Sequence, residues 1–201
     1  MGTYTEYMGF DNLVAAEITA DTLDAYTPGE VFKLAPAGEI KKSTERNQAA
    51  RSYDNGTYFL IKSEGDDTVE LVVPVLPLDI EAKILGTEYS EATGTMKNDG
   101  MPKTKYFALG YRLLCLDGTY RYVWRHKGAF TKGDEEAKSK EGTDSNNITL
   151  TFTGITTIHK FEKSGKVSKD IVADERDGLL NYDQWFAQVV TPDNEETLIK
   201  A

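Results

Sequence analysis

The sequence is poor in the residues that staple, anchor or chelate. A single cysteine, Cys115, rules out an intramolecular disulfide and fits a chain folded in a reducing compartment. Only two histidines are present, His126 and His159, and neither belongs to a His-Glu-x-x-His or Cys-His set, so no metal site is legible. The longest apolar run, 71–78, is interrupted by Pro74 and Pro77 and falls far short of the roughly 20 residues a spanning helix needs. The opening MGTYTEYMGFDN has neither a basic nor an apolar stretch of the kind that directs export. Glu6 stands where a myristoylation signal wants Ser or Thr. Basic charge is also in deficit: 23 Lys and Arg against 33 Asp and Glu give a net charge of −10, which argues against tight nucleic-acid binding by the whole surface. No GxSxG, P-loop or GxGxxG motif occurs, and nothing selects a catalytic pair among the carboxylates. Asp66-Asp67 and Glu135-Glu136 read as solvated loop acids. These absences point away from an enzyme.

What is present is a β framework. Residues 105–130, KYFALGYRLLCLDGTYRYVWRHKGAF, read as one long hairpin about Asp117-Gly118. A type I′ turn there pairs Leu116 with Thr119 and sets the register outward. One face then carries Phe107, Leu109, Tyr111, Leu113 and Cys115 with His126, Trp124, Tyr122 and Tyr120. It is apolar enough to be core, which makes Cys115 a buried hydrophobe and His126 a satisfied structural residue. The other carries Arg112, Arg121, Arg125 and Lys127, a basic face on an acidic protein. Further strands are expected at 12–19, 30–35, 57–62, 68–76 and 148–159, with a last one in FEKSGKVSKDIVA; Glu64 to Asp67 read as a turn between the third and fourth.

Two short helices are expected. Pro77 opens the first and Gly86 stops it, with Ile80 and Ile84 four apart. Asn181 and Gln184 form a capping-box pattern before Tyr182, Trp185, Phe186 and Val189, an aromatic stripe at helical spacing that reads as core. Residues 36–56 are polar, with Arg46 and Arg51 among them, and read as an extended arm or long loop; 131–147 read as a polar loop.

The order of segments resembles a known family. VELVVPVLPLDIEAKILG (69–86), the 105–130 hairpin, DEEAKSKEG, NNITLTFTGIT and NYDQWFAQV, together with the early NLVAAEIT and KLAPAGEIK, are similar to the major tail protein family of long-tailed, non-contractile phages of Gram-positive bacteria. The resemblance covers nearly the whole chain. It implies a mainly β fold, a β-sandwich or barrel-like tail tube fold over 1–201 with one or two short flanking α-helices. It further implies a structural virion protein, assembled in the host cytoplasm, whose hexameric rings stack into the tail tube. The partners implied are other copies of the chain, a tape measure protein and other tail proteins, and DNA passing through the lumen without specific binding. No membrane insertion, cofactor, metal or catalytic residue is implied. On this reading Arg46, Arg51, Arg112, Arg121 and Arg125 are candidate inter-subunit contacts, the last three meeting acids of a neighbour or of the flanking helix. The arm and the polar loop are the candidate ring and inter-ring contacts. The competing expectation is a carbohydrate- or receptor-binding β-sandwich module with Trp124 or a tyrosine as stacking platform, against which the inward position of Trp124 counts.

Overall fold

A computed structural model describes residues 4–134 and 147–200 of the protein. Ten strands form in chain order: β1 Tyr7–Asp21, β2 Tyr26–Lys33, β3 Glu39–Tyr53, β4 Gly56–Val73, β5 Glu88–Ser90, β6 Thr95–Lys97, β7 Phe107–Cys115, β8 Tyr120–Lys132, β9 Ile148–Gly154 and β10 Asp170–Asp174. Among the described residues the one α-helix, α1, is Leu78–Leu85, and three short 3₁₀ turns follow β10. The fold is therefore mainly β with one short flanking helix, as expected. Residues 135–146, most of the expected 131–147 loop and with them Glu135 and Glu136, lie outside the described residues.

One antiparallel sheet runs β2-β1-β7-β8-β9-β4-β3. The opposite edge of β8 from β7 is shared, by β9 along Gly128–Lys132 and by β10 along Arg121–Arg125. β1 and β3 stand far apart in that order, yet residues of both line a common cleft. The sheet thus curls back on itself. Alternation does the sorting, because successive side chains of a strand point to opposite faces. Leu13, Ala15, Phe107, Leu109, Tyr111, Val123, Phe130, Leu150, Phe152, Val69 and Leu71 fill one core, to which α1 adds Ile84. Val14, Ala16, Ala108, Tyr122 and Trp124 on the other face are covered by Tyr182, Trp185, Val189, Val190 and Leu198 of the C-terminal segment.

The β7–β8 hairpin forms where expected but one residue out of the expected register. Leu114 pairs with Tyr120, and Gly118 N–H donates to the Cys115 carbonyl at 3.0 Å. Gly118 is left-handed (φ 81°) while Asp117 is not, so the loop is a type I turn closed by a glycine bulge rather than type I′. The Asp117 carboxylate, accepting from the Thr119 N–H and hydroxyl, holds that geometry. A one-residue slip exchanges the faces of one strand relative to the other. Tyr122 and Trp124 consequently share a face with Ala108 and Gly110, and Arg121, Val123 and Arg125 share one with Tyr111. The expected wholly basic face does not exist, and both faces of the hairpin are core. Gly110 lies so close under Trp124 that a Cβ there would stand 2.9 Å from the indole.

Two other expectations change. β4 passes through Glu64–Asp67 as one strand, because β3 pairs along nearly its whole length and β9 pairs from Asp67 onward. The C-terminal aromatic stripe is core as read, but only Tyr182–Gln184 is helical, as a single 3₁₀ turn, and Asn181 makes no side-chain cap. α1 follows the sequence reading, with Gly86 left-handed (φ 69°) at its end.

Candidate assembly surface

The arm expected over 36–56 is the first strand of a long hairpin. β3, 15 residues at about 3.3 Å each, reaches roughly 50 Å. Its partner is β4, which takes in the expected 57–62 strand and pairs it with β3 instead of with 68–76. The turn is Asp54-Asn55, both left-handed (φ 48° and 63°), with Tyr53 paired to Gly56; this is the geometry of a two-residue type I′ loop. Between residues 44 and 66 every residue whose exposure is described is exposed or half-buried. The far half of the hairpin therefore projects from the body with both faces open.

Its tip is apolar. Tyr53, Tyr58, Phe59, Leu60 and Ile61 are all about half exposed or more, and the three rings pack edge-on with centroids 5.2–6.3 Å apart. Four consecutive apolar residues, Tyr58 to Ile61, place apolar groups on both faces of one strand. On a projecting tip that run leaves an exposed apolar patch, of the kind that marks interaction sites. That run was the available signal, and the alternation reading missed it.

The two ends of the sheet, β2 and β3, each pair with one neighbour only among the described residues. Both edge pairings carry two register shifts, but Pro28 interrupts β2 and β3 carries no proline. Unpaired strand edges of this kind are templates for association. At the root of the hairpin a cleft of about 490 Å³ opens between β1, β3 and β7, lined in its apolar part by Tyr7, Met8, Phe10, Ile40, Tyr111 and Leu113.

The five candidate arginines separate into two groups. Arg46, paired with Glu64 at 3.3 Å, and Arg51 lie exposed on the projecting hairpin. Arg112 makes a two-point contact with Asp11 and covers the Tyr120 ring at 4.0 Å; Arg121 binds Asp174 at 2.8 Å and the Tyr7 hydroxyl. Arg125, 5% exposed, donates to Asp67 at 2.7 Å, Asp170 at 2.8 Å and the Tyr111 hydroxyl at 3.2 Å. The acids these three meet belong to their own chain and to strands, not to α1. The slipped register explains it, since it turns Arg121 and Arg125 toward Tyr111 and the β4 and β10 acids.

Asp67, read as a solvated loop acid, is the hub of this buried network: it meets Arg125, Lys169 at 3.1 Å and Lys42 at 3.3 Å. Burial by itself raises its carboxyl, but hydrogen bonds from Thr44 and Lys169 and the charges of Arg125 and Lys42 outweigh it and hold the group below the usual range. Asp21 forms a second anchor, accepting from Lys127 Nζ at 2.6 Å and from the Ile158 and His159 N–H groups. His126, fully buried, links sheet to cover: Nε2–H donates to the Val190 carbonyl at 2.9 Å and Nδ1 accepts from the Ser168 hydroxyl at 2.8 Å.

Burial pushes the His126 imidazole down to about 4. The unfolded chain binds that proton near 6.5, so acid favours unfolding across the interval. Stability is expected to be full above pH 6.5 and to fall by about 3 kcal/mol on going to pH 4. Urea midpoints over that range should drop for the wild type and much less for His126→Phe; parallel profiles would refute the assignment.

Among the described residues no helix is long and apolar enough to cross a membrane, and no group of three or more His, Cys, Asp or Glu is placed to hold a metal ion. Trp124 is fully buried, its Nε1–H donating to the Trp185 carbonyl at 3.0 Å, and is inaccessible as a stacking platform. No protein-family model and no curated protein matches the chain. Among solved structures it is similar to a chain of the baseplate of the anti-feeding prophage, determined by cryo-EM with six-fold symmetrisation. The TM-score is 0.36 and the identity 12%, over 86% of this chain and 97% of that one.

Proposed function

We propose that the chain is a structural, non-catalytic subunit of a phage-type tail, polymerising as stacked hexameric rings into the tube through which DNA is ejected. The observation that carries this reading is the β3–β4 hairpin: a paired arm whose far half supports no core and ends in an apolar tip. An arm that contributes nothing to its own domain while exposing five large apolar side chains is organised for another chain. The open edges of β2 and β3 add a second reason. In a closed ring each edge is covered by the next subunit through a heterologous contact.

The net charge of −10 suits a conduit, because a basic lining binds phosphates at many points and holds DNA back. The resemblance of 69–86, 105–130 and 146–156 to major tail proteins supplies the ring and tube geometry, the virion tail as location, and the tape measure protein as a further partner. Negative-stain electron microscopy of the concentrated, purified protein tests the proposal. Rings or tubes of uniform diameter are expected. A protein that stays monomeric at high concentration and binds glycans instead would establish the binding-module reading.

A further inference from the structure

We propose that the apolar hairpin tip of one copy seats in the root cleft of the next copy, so that successive copies join head to tail. The inference rests on the reading of the chain as a self-assembling subunit and names the receiving site that reading lacks.

Four observations converge on it. The tip and the cleft lie at opposite ends of one paired element roughly 50 Å long, so the tip has no access to the cleft of its own chain. The contact is between copies and repeats with the same geometry at each step, as a heterologous interface does. The chemistry matches: an apolar tip of three rings and two aliphatic side chains, and a cleft of about 490 Å³ walled by Tyr7, Met8, Phe10, Ile40, Tyr111 and Leu113. Met8 is 64% and Tyr7 54% exposed, so the cleft mouth is itself uncovered apolar surface.

The charge matches too. The projecting half as a whole, 44–66, carries Arg46, Arg51 and Lys62 against Glu45, Asp54, Glu64 and Asp66, a net −1, so the match is local to the tip and the cleft. Arg51 flanks the tip and Glu39 flanks the cleft, and neither forms an ion pair with another described residue, whereas Lys42 in the cleft wall is held by Asp67 at 3.3 Å. The area is of the right order: Tyr53, Tyr58 and Phe59, 58%, 72% and 56% exposed, offer part of the roughly 150–250 Å² that each such side chain can bury, and Leu60 and Ile61 add to it toward the about 800 Å² per partner of a standard interface.

Cross-linking decides the matter. Leu60→Cys, at the tip, and Met8→Cys, at the cleft, alter exposed side chains, and the native Cys115 is 1% exposed and shielded from thiol reagents. The two variants of the full chain are mixed in equal amounts under assembly conditions, treated with a short bis-maleimide, and examined by denaturing gel and electron microscopy. Covalent dimers at least fivefold above either variant alone, together with tubes, support the docking. Tubes without that cross-link overturn the docking and leave the tube reading standing. Neither tubes nor cross-link overturns both. Wild-type protein is also sedimented with phosphatidylglycerol vesicles: co-sedimentation abolished by Leu60→Asp assigns the tip to a membrane and overturns the docking.

Discussion

Asp67→Ala is expected to lower stability by at least about 3 kcal/mol, the largest loss foreseen for any charged side chain in the protein. The reasoning follows from what the substitution leaves behind. Arg125 is 5% exposed, and Lys169 and Lys42 stand 3.1 and 3.3 Å from the missing carboxylate, so three cations lose a shared counter-charge, one of them away from water. Breaking a buried pair from one side costs about 3–5 kcal/mol, mostly through the stranded charge. Asp170 keeps its 2.8 Å contact with Arg125, which places the loss toward the lower end of that range. Arg46→Ala, by contrast, removes one partner of an exposed pair and should cost under about 1 kcal/mol. Chemical denaturation of the two variants side by side checks the ranking; equal losses would show that Asp67 is not the hub. Because the Asp67 carboxyl is held below its ordinary 3.8, its contribution is present above that pH and lost as the pH falls further.

That network also marks where the sequence stopped being readable. α1 was legible because its signals are local: a proline at its start, a left-handed glycine at its end, apolar residues four apart. The hairpin at 105–130 was legible as a hairpin but not in register, since Asp-Gly serves both a two-residue type I′ loop and a type I turn with a glycine bulge. The Asp117–Thr119 hydrogen bonds that choose between them lie within the turn itself. One residue of slip then put Arg121 and Arg125 on the face opposite Arg112. Trp124 came out buried regardless, because both faces of this sheet are core.

Asp67 looked like a turn acid because its partners, Arg125 and Lys169, are remote in sequence. The C-terminal helix failed for a related reason. The Trp185 carbonyl is claimed by Trp124 Nε1–H, so a tertiary hydrogen bond takes an acceptor that a helix would have given to the Val189 N–H. The arm at 36–56 showed no burial pattern because it has no buried face. The absence of periodicity was informative, though it marked a projecting strand rather than a loop.

Replacing residues 48–62 by Asn-Gly, so that the paired Asn47 and Ser63 close a two-residue turn, is expected to leave the domain folded and to abolish assembly. The first half of this expectation follows from burial: no residue of described exposure between 44 and 66 is buried, so the excision removes no core contact. The unfolding free energy should stay within about 1 kcal/mol of the wild type, the range of changes at surface positions away from packed groups. Solubility should rise as Tyr53, Tyr58, Phe59, Leu60 and Ile61 leave the surface. The second half follows from the same fact seen from the other side. A stretch of strand with no role in its own fold has its role in an interface, and the loss should be all-or-none: a truncated arm cannot reach the next copy, whatever the concentration. Sedimentation velocity should then show a monomer where the wild type is expected to form large assemblies, and electron microscopy should show no tubes. Normal tubes from the shortened protein would place the assembly contacts elsewhere on the sheet, most directly on the open edges of β2 and β3.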